Sequence, residues 1–358
     1  MSDASDEFLK AGIAGAGVFG RYHAQKYEAA HGARVTAVYD RDPARAAALA
    51  ADFGAAVFDD FAAFVAAVDL MSITAPATAH FSLAKQALTA GRHCLVEKPL
   101  SMSARESAEL IDAAEAVGAV LQVGHQERFI CDAFGLFDSP TPPQASEFVR
   151  CGPQSGRCED VCVVFDLMIH DLDLVNQLGL GAPLAVIAFG DDNETVARLV
   201  FDGDRTVNLK ASRQAATPER RLHLIYGDGE GDDERKFDFL TRTRTDRREG
   251  QSTDIRASDL AAGGGDIVAA LDDPLGFGVS RFVATVRQCV AGERTPPPIT
   301  GAAGAAAVAL AERIVAERIV AGRNVAVNSV AGINAEASRP AADSPTRNAA
   351  SVERMLAR

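Results

Sequence analysis

Between residues 10 and 40 the chain carries Gly15-Ala16-Gly17-Val18-Phe19-Gly20 in a setting that leaves few folds open. Lys10 to Gly15 is a short strand-like run, and a helical segment follows to about Ala30. A second strand-like run, Arg34 to Tyr39, ends at Asp40. The first glycine allows a tight turn, the second lets a ligand approach the backbone, and the third lets the helix pack on the strand. Unpaired N–H groups at the start of that helix suit an anion. Strand, Gly-x-Gly-x-x-Gly, helix, strand and an acid about twenty residues on make the fingerprint of a dinucleotide site. Gly15, Gly17, Val18, Phe19 and Gly20 are therefore expected to hold the pyrophosphate. Asp40 is expected to accept hydrogen bonds from the ribose hydroxyls and to repel a 2′-phosphate, which favours NAD over NADP. Arg41 beside it either offsets part of that repulsion or is a solvated loop residue.

The alternation continues. Asp60 to Val68 and Thr78 to Ala90 have helical patterns, and Leu70 to Thr74 and Cys94 to Val96 read as buried strands. A helix, Ser103 to Val117, and a last strand, Ala119 to Val123, follow. Strands alternating with helices at this spacing predict a doubly wound parallel sheet of the Rossmann kind. Ligands bind beyond the carboxyl ends of such strands, which brings Thr74, Pro76, Glu97 and Lys98 to the cofactor cleft. In Glu97-Lys98-Pro99 the proline holds the turn rigid and keeps Lys98 out of helical geometry. A lysine there moves protons, or makes a plain strand-end salt bridge. His125 leaves the sheet at the same edge, as a nicotinamide neighbour or as a hinge residue. His80 is expected to pack and hydrogen-bond between sheet and helix.

The second half has a different pattern. Strand-like runs at Leu184 to Phe189, Thr195 to Phe201, Thr206 to Ala211, Leu222 to Tyr226 and Lys236 to Leu240 predict a mostly antiparallel open sheet in an α+β domain. Asp202-Gly203-Asp204 is a hairpin signal. Arg242, Arg244, Arg247 and Arg248 read as a solvated loop, with a substrate phosphate as the alternative. Phe277 to Val290 and Ala302 to Val320 read as helices packing on that sheet or back on the first half. The expected organisation is a cofactor domain over 1–124, a substrate-binding and oligomerisation domain over 125–330, and a disordered tail over 331–358.

Composition narrows the classes. A formal net charge of −13 argues against a general nucleic-acid or anionic-membrane surface. The N-terminus is acidic and polar, and no uninterrupted apolar run approaches a membrane span, so a cytoplasmic protein is expected. The 6 cysteines form no secreted framework and read as reduced thiols. Cys151, Cys158 and Cys162 upstream of His170 match no common zinc spacing, and no metal is expected.

The second informative stretch is Asp166-Leu167-Met168-Ile169-His170-Asp171. On an apolar helix, Asp166 and His170 at i and i+4 share a face. Buried together they must bind something or each other. An aspartate paired with the ring fixes its tautomer, which suits a proton acceptor; a structural Asp–His hydrogen bond is the simpler reading.

Gly15-x-Gly17-x-x-Gly20, Glu97-Lys98-Pro99 and Asp166-x-x-x-His170 together resemble the Gfo/Idh/MocA family of oxidoreductases over about residues 10–325. The resemblance implies an NAD-dependent dehydrogenase acting on CH–OH groups. It also implies that Lys98 and His170 serve proton transfer and polarisation, that Asp166 holds the sugar, and that the Lys98–Pro99 peptide is cis. Val123 to Phe129, Asp160 to Asp171, Ala197-Arg198-Leu199 and Ala211-Ser212-Arg213 resemble the branch of UDP-N-acetylglucosamine 3-dehydrogenases. These oxidise C3 of the sugar on the way to a diamino sugar of lipid A. Ile130-Cys131 departs from the Asn-Pro of that branch. The implied partners are a sugar or nucleotide-sugar substrate and further copies of the chain, as a homodimer or homotetramer. Oxidation of a free sugar or an inositol, or an NAD-bound sensor without catalysis, stay open, as does which of Lys98 and His170 takes the proton.

Overall fold

A computed structural model of the chain describes residues 8–154, 160–227, 233–260, 262 and 264–319. Cys158 and the tail expected over 331–358 lie outside them. Within the first half the elements are β1 (Leu9–Ala14), α1 (Val18–Ala29), β2 (Ala33–Tyr39), α2 (Pro43–Phe53), β3 (Ala56–Phe58) and α3 (Phe61–Ala66). Then come β4 (Leu70–Ile73), α4 (Ala77–Thr89), β5 (His93–Val96), α5 (Ala104–Val117) and β6 (Leu121–Val123). The strands form a 6-stranded parallel sheet in the order β3-β2-β1-β4-β5-β6. The winding reverses between β1 and β4, and the crevice beyond their carboxyl ends is the ligand position of an open α/β sheet. Helices cover both faces, so Ile13, Leu70, Met71, Ile73, Cys94 and Val96 are all buried and the strands read as apolar runs. Asp42, Asp60 and Ser103 cap α2, α3 and α5 through their side chains, whereas α1 starts at Gly17 with no side-chain cap.

The second half contributes α6 (Glu127–Ala133), β7 (Ala145–Cys151), a π-helical turn (Val164–Met168), α7 (Ile169–Val175), β8 (Ala185–Gly190), β9 (Glu194–Val200) and β10 (Thr206–Ser212). They are followed by β11 (Glu219–Ile225), β12 (Asp233–Asp238), β13 (Thr243–Arg248), β14 (Gln251–Arg256), α8 (Ala257–Leu260), α9 (Gly265–Asp272), α10 (Pro274–Val290), α11 (Gly301–Glu317) and β15 (Arg318–Ile319). Their 9-stranded sheet runs β14-β13-β12-β11-β7-β10-β9-β8-β15. It is antiparallel except where β10 meets β7 and β15 meets β8. Val207, Leu209 and Ala211 are buried while Thr206, Asn208 and Lys210 reach solvent, the alternation of a sheet covered on one face. The Asp202-Gly203-Asp204 hairpin is present, with Gly203 at φ 69° and Asp204 at φ 56° between antiparallel β9 and β10.

The arginine run corrects one expectation. Residues 243–256 form the β13–β14 hairpin, where a solvated loop was expected. Arg244 donates to the Phe134 carbonyl at 2.6 Å and shares Asp246 with Arg235, while Arg242 donates to the Leu271 carbonyl. Arg247 and Arg248 face Glu234 and Asp233. Arg242 and Arg244 are thus held by structural partners, while Arg247 and Arg248 stay largely exposed.

Both long C-terminal helices pack back on the first half. Val279, Phe282, Val283 and Val286 of α10 join Ile13, Tyr27 and Leu95 in one core, and α11 lies against α5 and α7. The crevice at the carboxyl edge of the first sheet is therefore walled by both halves of the chain. Among the described residues no helix is long and apolar enough to cross a membrane.

Candidate active site

The glycine loop is shaped by steric necessity at two of its three glycines. Gly15 has φ +108°, and a Cβ there would lie 2.5 Å from the Ala75 amide nitrogen. A Cβ on Gly20 would meet the Gly15 carbonyl oxygen at 2.0 Å. Gly17 differs: its φ is −76°, and a Cβ would meet nothing within 4 Å. What its missing side chain leaves is open space over the uncapped start of α1, where Val18 and Phe19 are exposed. A helix start without a side-chain cap, beside open space, fits a dinucleotide pyrophosphate. Thr74 Oγ1 donates to the Gly15 carbonyl at 2.8 Å, so that hydroxyl braces the loop. Asp40 braces it as well, accepting from the Ala16 amide at 2.6 Å through Oδ2 and from the Asp42 amide at 2.8 Å through Oδ1. A carboxylate has about four acceptor positions, which leaves Asp40 capacity for ribose hydroxyls. Arg41 and Pro76 are exposed beside the loop.

Lys98 follows β5, and the Lys98–Pro99 peptide is cis. Its ammonium donates to the Asp166 carbonyl at 2.7 Å and stands 3.5 Å from Asp166 Oδ1. Arg213, just past β10, approaches the other carboxylate oxygen at 3.4 Å while donating to the Val161 carbonyl at 2.6 Å. The Asp166 carboxylate thus sits between two cations. Of the two readings, a bond between Asp166 and His170 is not the one seen, and the two do not lie on one regular helix. Asp166 lies in the π-helical turn and His170 in the first turn of α7, so the i, i+4 register of a continuous α-helix does not apply across them.

His170 faces another carboxylate. Its Nδ1 stands 4.0 Å from Glu127 Oε2, and its ring meets that of His125 edge-on at 6.5 Å between centroids. Both ring nitrogens of His125 and the Nδ1 of His170 are buried without a hydrogen-bond partner among the described residues. Burial, then the charges of Lys98, Arg150, His125 and Arg220, hold the His170 pKa well below the ordinary histidine value. His170 is therefore neutral near pH 7, with a nitrogen able to take a proton. Burial also lowers His125. His80 stands between two carbonyl oxygens, Pro99 at 2.7 Å from Nδ1 and Ala75 at 2.9 Å from Nε2, and its neutral ring donates to one of them at a time.

Three site residues were not singled out from the sequence. Glu127 is held by Arg150, which donates to its Oε1 at 2.8 Å and to Asp171 Oδ1 at 2.7 Å. Burial pushes the Glu127 carboxyl up, and Arg150 more than offsets this, leaving it below its ordinary range. The signal for Arg150 was available: in Ser146-x-Phe148-x-Arg150 the arginine keeps phase with a core phenylalanine, and a buried arginine must find carboxylates. Arg220 lies opposite Arg150 on β11 and is exposed. Among the described residues, no group of three or more His, Cys, Asp or Glu side chains is arranged to hold a metal ion.

Residues 9–125 match an oxidoreductase family described by its NAD-binding Rossmann fold. Over 248 residues the chain is 35% identical to the UDP-N-acetylglucosamine 3-dehydrogenase of Acidithiobacillus ferrooxidans, covering 66% of this chain and 75% of that one. A solved structure of the Acidithiobacillus ferrooxidans enzyme aligns with a TM-score of 0.75 at 30% identity, covering 87% of this chain and 98% of that one. An inositol 2-dehydrogenase of Cereibacter sphaeroides is 31% identical over 179 residues, 48% of this chain and 54% of its own.

Proposed function

Because the chain belongs to the Gfo/Idh/MocA oxidoreductase family, we propose that it oxidises a secondary hydroxyl of a nucleotide sugar with NAD, UDP-N-acetylglucosamine at C3 being the best-supported substrate. The observation that carries this reading is Lys98 at the end of β5, which contacts Asp166 and whose charge acts on the buried His170. The similarity to the Acidithiobacillus ferrooxidans enzyme, which extends through the second half, supports the nucleotide sugar over an inositol.

Residues Gly15 to Gly20 and Asp40 hold the dinucleotide, with Arg41, Thr74, Pro76, Glu97 and His125 around it. NAD, when bound, supplies the hydride acceptor. His170, uncharged at neutral pH, takes the hydroxyl proton of the sugar. A carboxylate facing Nδ1 favours a proton on that nitrogen, so Glu127 leaves Nε2 as the basic one. Lys98 presents a positive charge to the alkoxide that develops as the proton leaves, a role of the oxyanion-hole kind. Asp166, clamped between Lys98 and Arg213, accepts a neighbouring sugar hydroxyl and sets the ring's orientation.

The 3-keto sugar so formed is a substrate for an aminotransferase, consistent with a diamino sugar of lipid A as the end of the route. We read 1–124 as the cofactor domain and 125–330 as the substrate domain of a cytoplasmic enzyme. The helix-free face of the second sheet is the surface for a second copy, giving a homodimer or homotetramer. Light scattering at micromolar concentration checks that point, and a monomeric mass rejects it. The function itself is tested by NADH formation across UDP-sugars, free sugars and inositols. Turnover confined to inositol or a free sugar overturns the nucleotide-sugar reading, and none with any of them leaves the sensor reading.

A further inference from the structure

Beneath the Glu97-Lys98-Pro99 turn lies a buried chain of side chains that the proposed chemistry does not use. Tyr27 OH and Ser72 Oγ are 2.9 Å apart, Ser72 Oγ and His23 Nδ1 2.8 Å, and His23 Nε2 and Glu97 Oε1 2.9 Å. Tyr27, Ser72 and His23 are fully buried, and Glu97 nearly so. Burial pushes the Glu97 carboxyl up, but the hydrogen bond and charge of His23, with Lys98 and His80, more than offset this, so it stays ionised.

Donor bookkeeping then orders the chain. An ionised carboxylate only accepts, so His23 Nε2 carries the ring proton. Ser72 Oγ links Nδ1 of that ring to the Tyr27 hydroxyl, within hydrogen-bond distance of each. Burial raises the Tyr27 phenol above its ordinary value, which keeps it a donor.

The far end of the chain is the Glu97 carboxylate, and it is held on every side. Oε1 also accepts from Gln126 Nε2 at 3.1 Å, and Oε2 accepts from the Lys98 amide at 3.3 Å. It lies so close to Gly124 that a Cβ there would stand 2.7 Å from Oε1. His23 sits on α1, the helix whose first turn carries the glycine loop.

We propose that His23 is a positioning residue. Its Nε2–H fixes the Glu97 carboxylate, which fixes the Lys98 backbone and so aims the ammonium at the reacting hydroxyl from a helix shared with the cofactor loop. The inference rests on the reading of Lys98 given above. Misplacing a reacting group by about 1 Å costs about 10²-fold, so the link is consequential.

The test compares two amides at one position, with UDP-N-acetylglucosamine as the sugar. In His23→Gln the amide nitrogen replaces Nε2 and keeps the bond to Glu97. In His23→Asn it replaces Nδ1 and loses that bond. His23→Asn should lose about ten- to a hundred-fold in kcat with sugar KM and NAD affinity nearly unchanged, and His23→Gln should recover most of it. Combining His23→Asn with Glu97→Gln should cost little more than either change alone. Wild-type kcat in His23→Asn, or equal loss in both amides together with melting temperature and NAD affinity, overturns the inference. Lys98→Met in the same assay separates the two claims. If it turns over normally, the reading of Lys98 falls and this inference with it; if it is silent while His23→Asn is active, only this inference falls. Without any turnover, NMR of isotope-labelled histidine reads the His23 tautomer, and a proton on Nδ1 alone overturns the ordering.

Discussion

Lys98 Nζ stands 2.7 Å from the carbonyl oxygen of Asp166 and 3.5 Å from its carboxylate, joining the end of β5 to the π-helical turn. One residue thereby meets the lysine through both backbone and side chain. If Lys98 acts on the sugar hydroxyl, Lys98→Met should lower kcat by about 10²-fold or more and leave NAD affinity intact. Lys98→Arg should fail too, because the planar guanidinium does not replace a compact ammonium at this spot. Kinetics and NAD titration on the same preparations check both, and lost NAD binding would point to misfolding.

Gly17 and Gly20 should respond differently to alanine. At Gly20 the new Cβ meets backbone at 2.0 Å, so the loop must shift and both melting temperature and NAD affinity should fall. At Gly17 the Cβ meets no protein atom within 4 Å and the backbone angle suits alanine. Gly17→Ala should therefore fold normally and lose NAD binding, because only the cofactor occupies that space. Normal NAD affinity in Gly17→Ala would place the pyrophosphate elsewhere.

Much of this was legible in the sequence, for reasons that can be named. The parallel strands are buried on both faces and therefore written as apolar runs, and Gly15 and Gly20 stand where contacts permit no side chain. What escaped reading had weak patterns. α2 is mostly alanine, β3 is three residues long, and β13 and β14 are polar on both faces, so no period-2 signal marks them. The shared helix face of Asp166 and His170 was misplaced for a different reason: a π-helical turn inserts itself into what reads as one continuous apolar helix.

Arg150 should matter first for stability. It bridges Glu127 and Asp171, and its removal leaves two carboxylates facing each other without a cation. Arg150→Ala should cost about 3–5 kcal/mol, as expected when one partner of a buried ion pair is lost. Denaturant unfolding measures this, and a loss under about 1 kcal/mol would mean that the pair is effectively solvated.

The acid limb of kcat/KM should report His170. Its pKa is lowered by burial and then by Lys98, Arg150, His125 and Arg220, so deleting a positive charge raises it. Arg220→Gln should thus move the acid limb to higher pH, more at low ionic strength than at high. A shift to lower pH would remove His170 as the titrating base.

Stability should fall on the acid side for a related reason. His80, His93, His125 and His170 all have native values lowered, chiefly by burial. The unfolded chain then binds more protons than the native one once the pH drops below about 6.5, so stability is fully present above that pH and lost below it. Melting temperatures taken from about pH 8 to about pH 5 should decline toward acid, and a flat profile would contradict the burial of these rings.

The central claim, a nucleotide-sugar hydroxyl oxidised by NAD at Lys98 and His170, is tested most directly by NADH absorbance after mixing enzyme, NAD and UDP-N-acetylglucosamine. The account predicts NADH formation by the unmodified chain, little with NADP, and almost none by Lys98→Met or His170→Ala preparations that still bind NAD. No NADH from any UDP-sugar, or undiminished NADH from both variants, would contradict it.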